Sequence, residues 1–434
     1  MSSARVCNLF SLWVLVALLC NDVSNWGAIP LGINIRPDRL MLAALVVAFQ
    51  LYRRQERTRV PIIFVERVML FFFVVLFVSM ILYGTIISRA NHVLSKLVTF
   101  TILPALLFMM ARRIVYDDAA LRALRRAFLL VAIYLGVIAV FEVKGMESWV
   151  WPGYIMDFSR GLHQGRARGP FLQAVINGAA LSLACQWVLW YHYNIRKHWL
   201  TWLAVPLAVA GCYLTNTRSV WLQVAAGIAV IGVFKTPLRK FTRWAIFVLI
   251  IVYFSGVASK FSAYEISLFK RRNEQIDDRW NIYNASWRMF QESPVFGHGY
   301  GSFEKIGDNY FVEIEGVQLR GQGEGQHHTF LGLLAENGLV GTIPFCIIYG
   351  TFFGACFRRY RAGDPGDPVG RSFSVMILAL LSGNVVAMQF SDYGFYSYIN
   401  CITFWSAGMV FARFNLKDAS CFTALSSTPK RVRS

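Results

Sequence analysis

The chain alternates long apolar stretches with short polar ones. Apolar runs cover about residues 6–20, 39–52, 61–83, 93–111, 127–143, 171–192, 200–214, 219–234, 244–258, 329–357, 372–390 and 397–413. Several approach the length of about 20 residues that a helix needs to cross a hydrocarbon core. Backbone polar groups in lipid must be satisfied within their own segment, so each run predicts a helix. The expected fold class is all-α: a polytopic membrane protein with about twelve transmembrane helices. One interval alone, about 259–328, is both long and too polar to cross, and it is expected to carry short interfacial helices. The chain then divides into helices 1–9 with short loops (1–258), the large loop (259–328), and helices 10–12 with a tail (329–434). Together these form one integral membrane domain.

The short loops divide by charge. RRQERTR, ARRIVYDDAALRALRRA, YNIRKHW, KTPLRKFTR, RRYRAGDPGDPVGR and the tail PKRVRS are basic and fall on one side of the alternating path. Lys and Arg near span ends mark the cytoplasmic side, which puts both termini there and the large loop opposite. Arg5 precedes an apolar core as in a signal peptide. No small-residue cleavage site follows, so a retained first helix is expected.

Composition agrees with this picture. Of 434 residues, 56% are hydrophobic and only 15% charged, outside the range of soluble domains. The formal charge of +19 would suit a polyanion, but the basic residues sit in orienting clusters, so no nucleic-acid partner is expected. The eight cysteines form no CxxC pair and almost all lie within or beside apolar runs, which indicates neither a disulfide framework nor a zinc site.

A second set of cations is left unexplained by orientation. Arg160, Arg166, Arg168, Arg218, Arg279, Arg288 and Arg320 all fall on the outer side, as do Arg89 and His92 in a small loop. A cation near hydrocarbon costs a few kcal/mol, so such residues usually face an anion. Arg218 sits in the tight hairpin TNTRS, where it either snorkels as an anchor or offers its planar fork to phosphate. Arg279 is expected to open a helix capped by Asp277 or Asp278 and stopped by Pro294. Trp280, Tyr283, Trp287 and Phe290 would form an aromatic stripe along it on the membrane surface. Arg288, nine residues on, points the other way.

Gly297, Gly299 and Gly301 read as a tight turn rather than a phosphate loop, because no strand precedes them. His298 is incidental to that turn. His327 and His328 directly precede the next apolar run and project differently. Either can act as a base near neutral pH or simply hydrogen-bond at the interface. Glu336, about two turns deeper, needs a partner or a wet cavity.

Taken in order, these elements resemble a known family. TNTRS is similar to the element T-G-S-R-G. Arg279 through SPVFGHGYGSF resembles an arginine followed by P-L-L-G-x-G-x-G-x-F. QHHTFLGLLAENGLVG is similar to A-H-N-x-Y-L-x-L-L-A-E-T-G-L-x-G. With RARGPF before the sixth run, they resemble the O-antigen ligase/polymerase superfamily of bacterial polysaccharide enzymes. Ser219 stands where Gly is common, His328 where Asn is common and Asn337 where Thr is common, which leaves the subfamily open. His327 matches the family histidine, with His328 as the alternative.

The resemblance implies a GT-C-like fold and metal-independent, inverting glycosyl transfer at the periplasmic face of the bacterial inner membrane. The donor would be an undecaprenyl-pyrophosphate-linked glycan, and the acceptor a glycan, a lipid A core or a protein hydroxyl. Arg218 and Arg279 would clamp the phosphates, His327 would act on the acceptor hydroxyl, and Arg166, Arg168, Glu336 and His328 would bind substrate. No DxD motif or outer carboxylate pair is present, so neither metal nor other cofactor is expected. Two alternatives stay open: a transporter or flippase of an anionic lipid-linked glycan, and a protein O-oligosaccharyltransferase of the same superfamily.

Overall fold

The computed structural model describes residues 2–416 apart from 22, 23, 25, 28, 32, 57–59, 86–92, 163, 235–238, 241, 244–265 and 364–367. The run 244–258, Arg89, His92 and the tail PKRVRS lie outside the described residues. Each of the other eleven apolar runs is helical. They form α1 (Ser3–Leu19), α2 (Pro37–Gln55), α3 (Phe64–Leu82), α4 (Val93–Arg112), α5 (Asp118–Val143), α6 (Ala174–Asn194), α7 (Thr201–Leu214) and α8 (Arg218–Val233). After the polar helix α9 (Ile266–Glu292) follow α10 (Thr329–Ala362), α11 (Phe373–Ala387) and α12 (Ser397–Val410).

Among the described residues, six helices are long and apolar enough to cross a membrane, and α1, α7 and α8 are shorter apolar helices. The protein is therefore an all-α, multi-pass membrane protein. Its strands are small: a hairpin of Ile29–Leu31 with Ile33–Ile35, and a parallel pair of Val115–Asp117 with Arg413–Asn415. The latter ties the start of α5 to the end of α12.

Aromatic packing and polar contacts between helices together hold the bundle. Phe10 of α1 stacks on Trp405 of α12 with ring centroids 3.7 Å apart, and Phe128 of α5 stacks on Trp187 of α6 at 4.8 Å. Glu66 at the start of α3 binds Arg112 and Arg113 at the end of α4, which fixes the antiparallel register of that pair. α5 begins where the Asp117 carboxylate accepts from Ala120 N at 2.7 Å, satisfying one of the helix's orphan donors.

Two elements differ from expectation. α9 starts at Ile266 rather than at Asp277, so Arg279 lies inside it and neither aspartate caps it. An interior Asp is tolerated here because Asp278 turns outward to Arg320, with 3.3 Å between Oδ1 and Nε. Its aromatic stripe also splits. Ile282, Ala285 and Met289 form the buried face, packed on Phe303 and Ala335, while Trp280 and Trp287 are exposed and Tyr283 turns inward.

The second difference is a break in α10. Gly338 has φ +56° and ψ −156°, a region almost closed to residues with a Cβ. The loop after α9 fits into this break. His298 N donates to Ala335 O (3.1 Å), Gly299 N to Glu336 O (2.7 Å), Leu339 N to Pro294 O (2.9 Å) and Val340 N to Val295 O (3.1 Å). The Gly-rich turn and the helix break are thus one joint, and it locks the helix bearing Arg279 to the helix that follows His327. A Cβ on Gly297 would lie 2.4 Å from Asn337 N, so the glycine is required by close approach as well as by its positive φ.

Candidate active site

The loop between α5 and α6 reaches the hairpin between α7 and α8 through one backbone bond, Ala167 N to Leu214 O at 3.1 Å. Asn177 of α6 holds the same residue from its other backbone group by donating to Ala167 O at 3.1 Å. The hairpin turns tightly, with Asn216 at φ +46°. Thr217 spends its hydroxyl on Thr215 O (2.8 Å), not on the helix N–H groups behind it. Arg218 is therefore the first residue of α8, exposed, at an N-terminus with no side-chain cap. Helix N-termini of this kind favour anions.

These connections gather three arginines. Burial lowers the pKa of Arg166, and the positive charges of Arg279 and Arg218 lower it further. A loop arginine that feels the positive charge of two others is a functional-site candidate suited to an anion. Arg279 is exposed on α9. Its charge also reaches Tyr283 and Tyr396, where it opposes the burial that raises both phenols above their ordinary range. The Tyr283 hydroxyl donates to Gln389 O (3.1 Å) and His327 O (3.4 Å), tying the Arg279 helix to the histidine segment and to the end of α11.

The two histidines have different surroundings. His328 caps α10: its Nδ1 accepts from Leu331 N at 3.2 Å, and its ring stands edge-on to Tyr283 at 5.4 Å. Burial lowers its pKa, so the neutral ring is favoured. His327 is more open, with 38% of its side chain exposed, and its Nε2 lies 3.2 Å from Glu324 Oε2. A carboxylate in that position orients an imidazole.

The remaining expected residues lie elsewhere. Arg168 is wholly buried; its guanidinium donates to Glu142 Oε1 (3.4 Å), Arg160 O (2.8 Å) and Ile155 O (2.7 Å), which knits the loop that presents Arg166. Arg288 is spent on Asn284 Oδ1 at 2.8 Å, away from the cluster, and His298 on Met289 O at 2.9 Å. Glu336 is buried, and its Oε1 accepts from Phe303 N at 3.2 Å. It lines a small cavity with Lys96, Tyr300, Gln326 and Asp392.

Glu324 was not expected; its spacing of three before His327 was the available signal. Nor was the buried pair of Lys96 Nζ and Asp392 Oδ2 at 2.8 Å, although Lys96 stands as a lone charge inside a predicted span. Glu324 also adds to the burial that raises the Asp278 pKa, while Arg320 opposes it.

The family model described as O-antigen ligase matches residues 202–346, which contain Arg218, Arg279, Glu324 and His327 but neither Arg166 nor Arg168. No match to the chain was found among curated proteins.

Proposed function

We propose that this multi-pass membrane protein, a glycosyl-transferring enzyme whose residues 202–346 are an O-antigen ligase domain, moves a glycan from an undecaprenyl-pyrophosphate carrier to an acceptor hydroxyl. The transfer inverts the anomeric centre, needs no metal, and takes place on the periplasmic side of the bacterial inner membrane, with both termini cytoplasmic. What supports this reading is that the charges of Arg218 and Arg279 bear on Arg166, and that Tyr283 ties the Arg279 helix to the segment bearing the His327–Glu324 pair.

In the reaction the bond from the anomeric carbon to the phosphate oxygen breaks, and negative charge grows on the departing diphosphate. Fixed guanidiniums stabilise that charge without reorganising, which is the largest single contribution in many enzymes. Arg218 and Arg279 clamp the phosphates, and Arg166 adds a third contact. On the opposite face of the sugar the acceptor oxygen forms the new bond and gives up its proton. With Nε2–H of His327 donated to Glu324, Nδ1 is left to take that proton, and the carboxylate stabilises the imidazolium. His328 is the poorer base because Leu331 N already occupies its Nδ1.

The test is transfer by the purified chain from a pyrophosphate-linked donor to each acceptor class: lipid A core, glycan and protein. One class should be used, with inverted product and full rate in excess EDTA. Arg279→Ala and His327→Ala should abolish transfer. Two folded variants that keep full activity would refute the site. Donor moved across liposomes without being consumed would instead indicate a transporter.

A further inference from the structure

The elements that bear the candidate residues are all tied to the end of α11, which lies beyond the matched segment 202–346. The last carbonyls of a helix have no partner within it and must find one elsewhere. Here the chain turns after Ala387, and the carbonyls of that turn go to two other elements. Met388 O accepts from Thr329 N (2.9 Å), Gln389 O from the Tyr283 hydroxyl (3.1 Å) and Ser391 O from the Thr329 hydroxyl (2.8 Å). Tyr393 N donates in turn to Thr329 Oγ1 at 3.0 Å. Thr329 follows His327 by two residues, and Tyr283 lies one turn beyond Arg279 on α9.

One turn earlier, Asn384 of α11 reaches α8. Its Oδ1 accepts from Gln223 Nε2 at 3.0 Å, and its Nδ2 donates to Thr403 Oγ1 of α12 at 2.8 Å. All three side chains are buried. The backbones of α8 and α11 also approach closely, since a Cβ on Gly383 would lie 2.8 Å from Gln223 O. Gln223 belongs to the helix that Arg218 opens. The stretch 384–393 therefore bonds directly to α8, α9 and the start of α10.

We propose that this stretch is the common anchor that fixes Arg218, Arg279 and His327 relative to one another, with Asn384 and Thr329 as its positioning residues. What the fixed spacing serves rests on the glycosyl-transfer reading above; the anchoring itself does not. Polar bonds between membrane helices are often simple glue, each contributing little. These differ in where they lead, because each ends on an element that presents a candidate residue. Phosphate ligands and a base must hold their places to within about half an ångström to act together. Arg218 and His327 are far apart in the chain, so a shared third element sets their spacing more tightly than the intervening loops could.

The test combines hydrogen exchange with kinetics on the full-length chain in detergent. Thr329→Val keeps the shape and removes the hydroxyl, whereas Thr329→Ser keeps the hydroxyl. Thr329→Val should exchange faster at 326–331 and lower turnover about tenfold to a hundredfold, the scale expected when a reacting group is slightly misplaced. Its affinity for a fluorescent pyrophosphate-linked donor should stay within about twofold of the parent's, because the helices bearing the arginines keep their own anchors. Thr329→Ser should restore turnover. Gln223→Leu with Asn384→Leu removes both members of the bond from α8 to α11 together, so neither is left facing a lost partner. This pair should exchange faster at the start of α8 and bind donor about tenfold more weakly, as a loosened charged hydrogen bond would. Ser406→Ala removes a buried interhelical bond outside the stretch, from Trp187 Nε1 at 3.2 Å, and should leave turnover and donor affinity unchanged. Parental turnover in Thr329→Val would overturn the proposal. So would faster exchange spread evenly over the chain, or equal losses in Ser406→Ala. Exchange is read without donor or acceptor, so a parent that transfers nothing would count against the reaction and not against the anchor.

Discussion

Arg166 and Arg168 are two residues apart, and replacing each by Gln should have opposite consequences. Arg168 is fully buried and bonds one carboxylate and two carbonyl groups. Gln is too short and too poor in donors to keep all three. Removing one partner of a buried ion pair costs about 3–5 kcal/mol. Glu142 retains Gly169 N at 2.9 Å, which places the loss towards the lower end of that range. Against a typical total of about 5–15 kcal/mol, even that is a large share. Arg166→Gln removes a cation already crowded by Arg279 and Arg218, so stability should hold or rise slightly. It should lose a charged hydrogen bond worth about 1.5–3 kcal/mol, which weakens donor binding roughly tenfold to a hundredfold.

The assay pairs two readings on each variant: the rate of thermal inactivation in detergent, suited to irreversible unfolding, and binding of a fluorescent pyrophosphate-linked donor. The double change Glu142→Leu with Arg168→Met removes both charges together and should recover much of the lost stability. The reasoning is refuted if Arg168→Gln inactivates no faster than the parent while its donor affinity falls tenfold. That pattern would make Arg168 a ligand and its buried pairing incidental.

Arg218→Lys should lower transfer at least about tenfold despite keeping the charge, because an ammonium cannot supply a planar fork; unchanged donor affinity and turnover would reduce Arg218 to an anchor. For His328, burial holds the folded pKa below the ordinary value, so the unfolded chain takes up its proton first as pH falls. Stability should therefore decline below about pH 6.5 and level off beneath the folded value. His328→Asn keeps a good cap for Leu331 and should flatten this decline, which inactivation rates at about pH 7.5 and about pH 5 would show; an equal acid loss in both proteins would count against the assignment. Gly338→Ala should destabilise by about 1–3 kcal/mol from its backbone conformation alone, and by more because a Cβ there would sit 2.4 Å from Val295 C. A variant as stable as the parent would mean that the break in α10 can straighten.

The sequence by itself determined that the chain is a multi-pass bundle of apolar helices, because a lipid solvent leaves an apolar segment little choice but a helix. It also determined the order in which Arg218, Arg279 and His327 arrive. Periodicity carries no information about which polar groups meet across the fold, and there tertiary contacts decided. Arg166 and Arg168 are two residues apart, yet one feels the charges of Arg279 and Arg218 and the other is sealed against Glu142. His327 and His328 divide in the same way, one open beside Glu324 and one committed to capping α10. The run 329–357 reads as an unbroken span, but the break at Gly338 exists because the 294–299 loop supplies the hydrogen bonds that the helix gives up. Long-range partners of that kind leave no local mark on the chain, since a polar side chain costs the same to desolvate whichever neighbour later satisfies it.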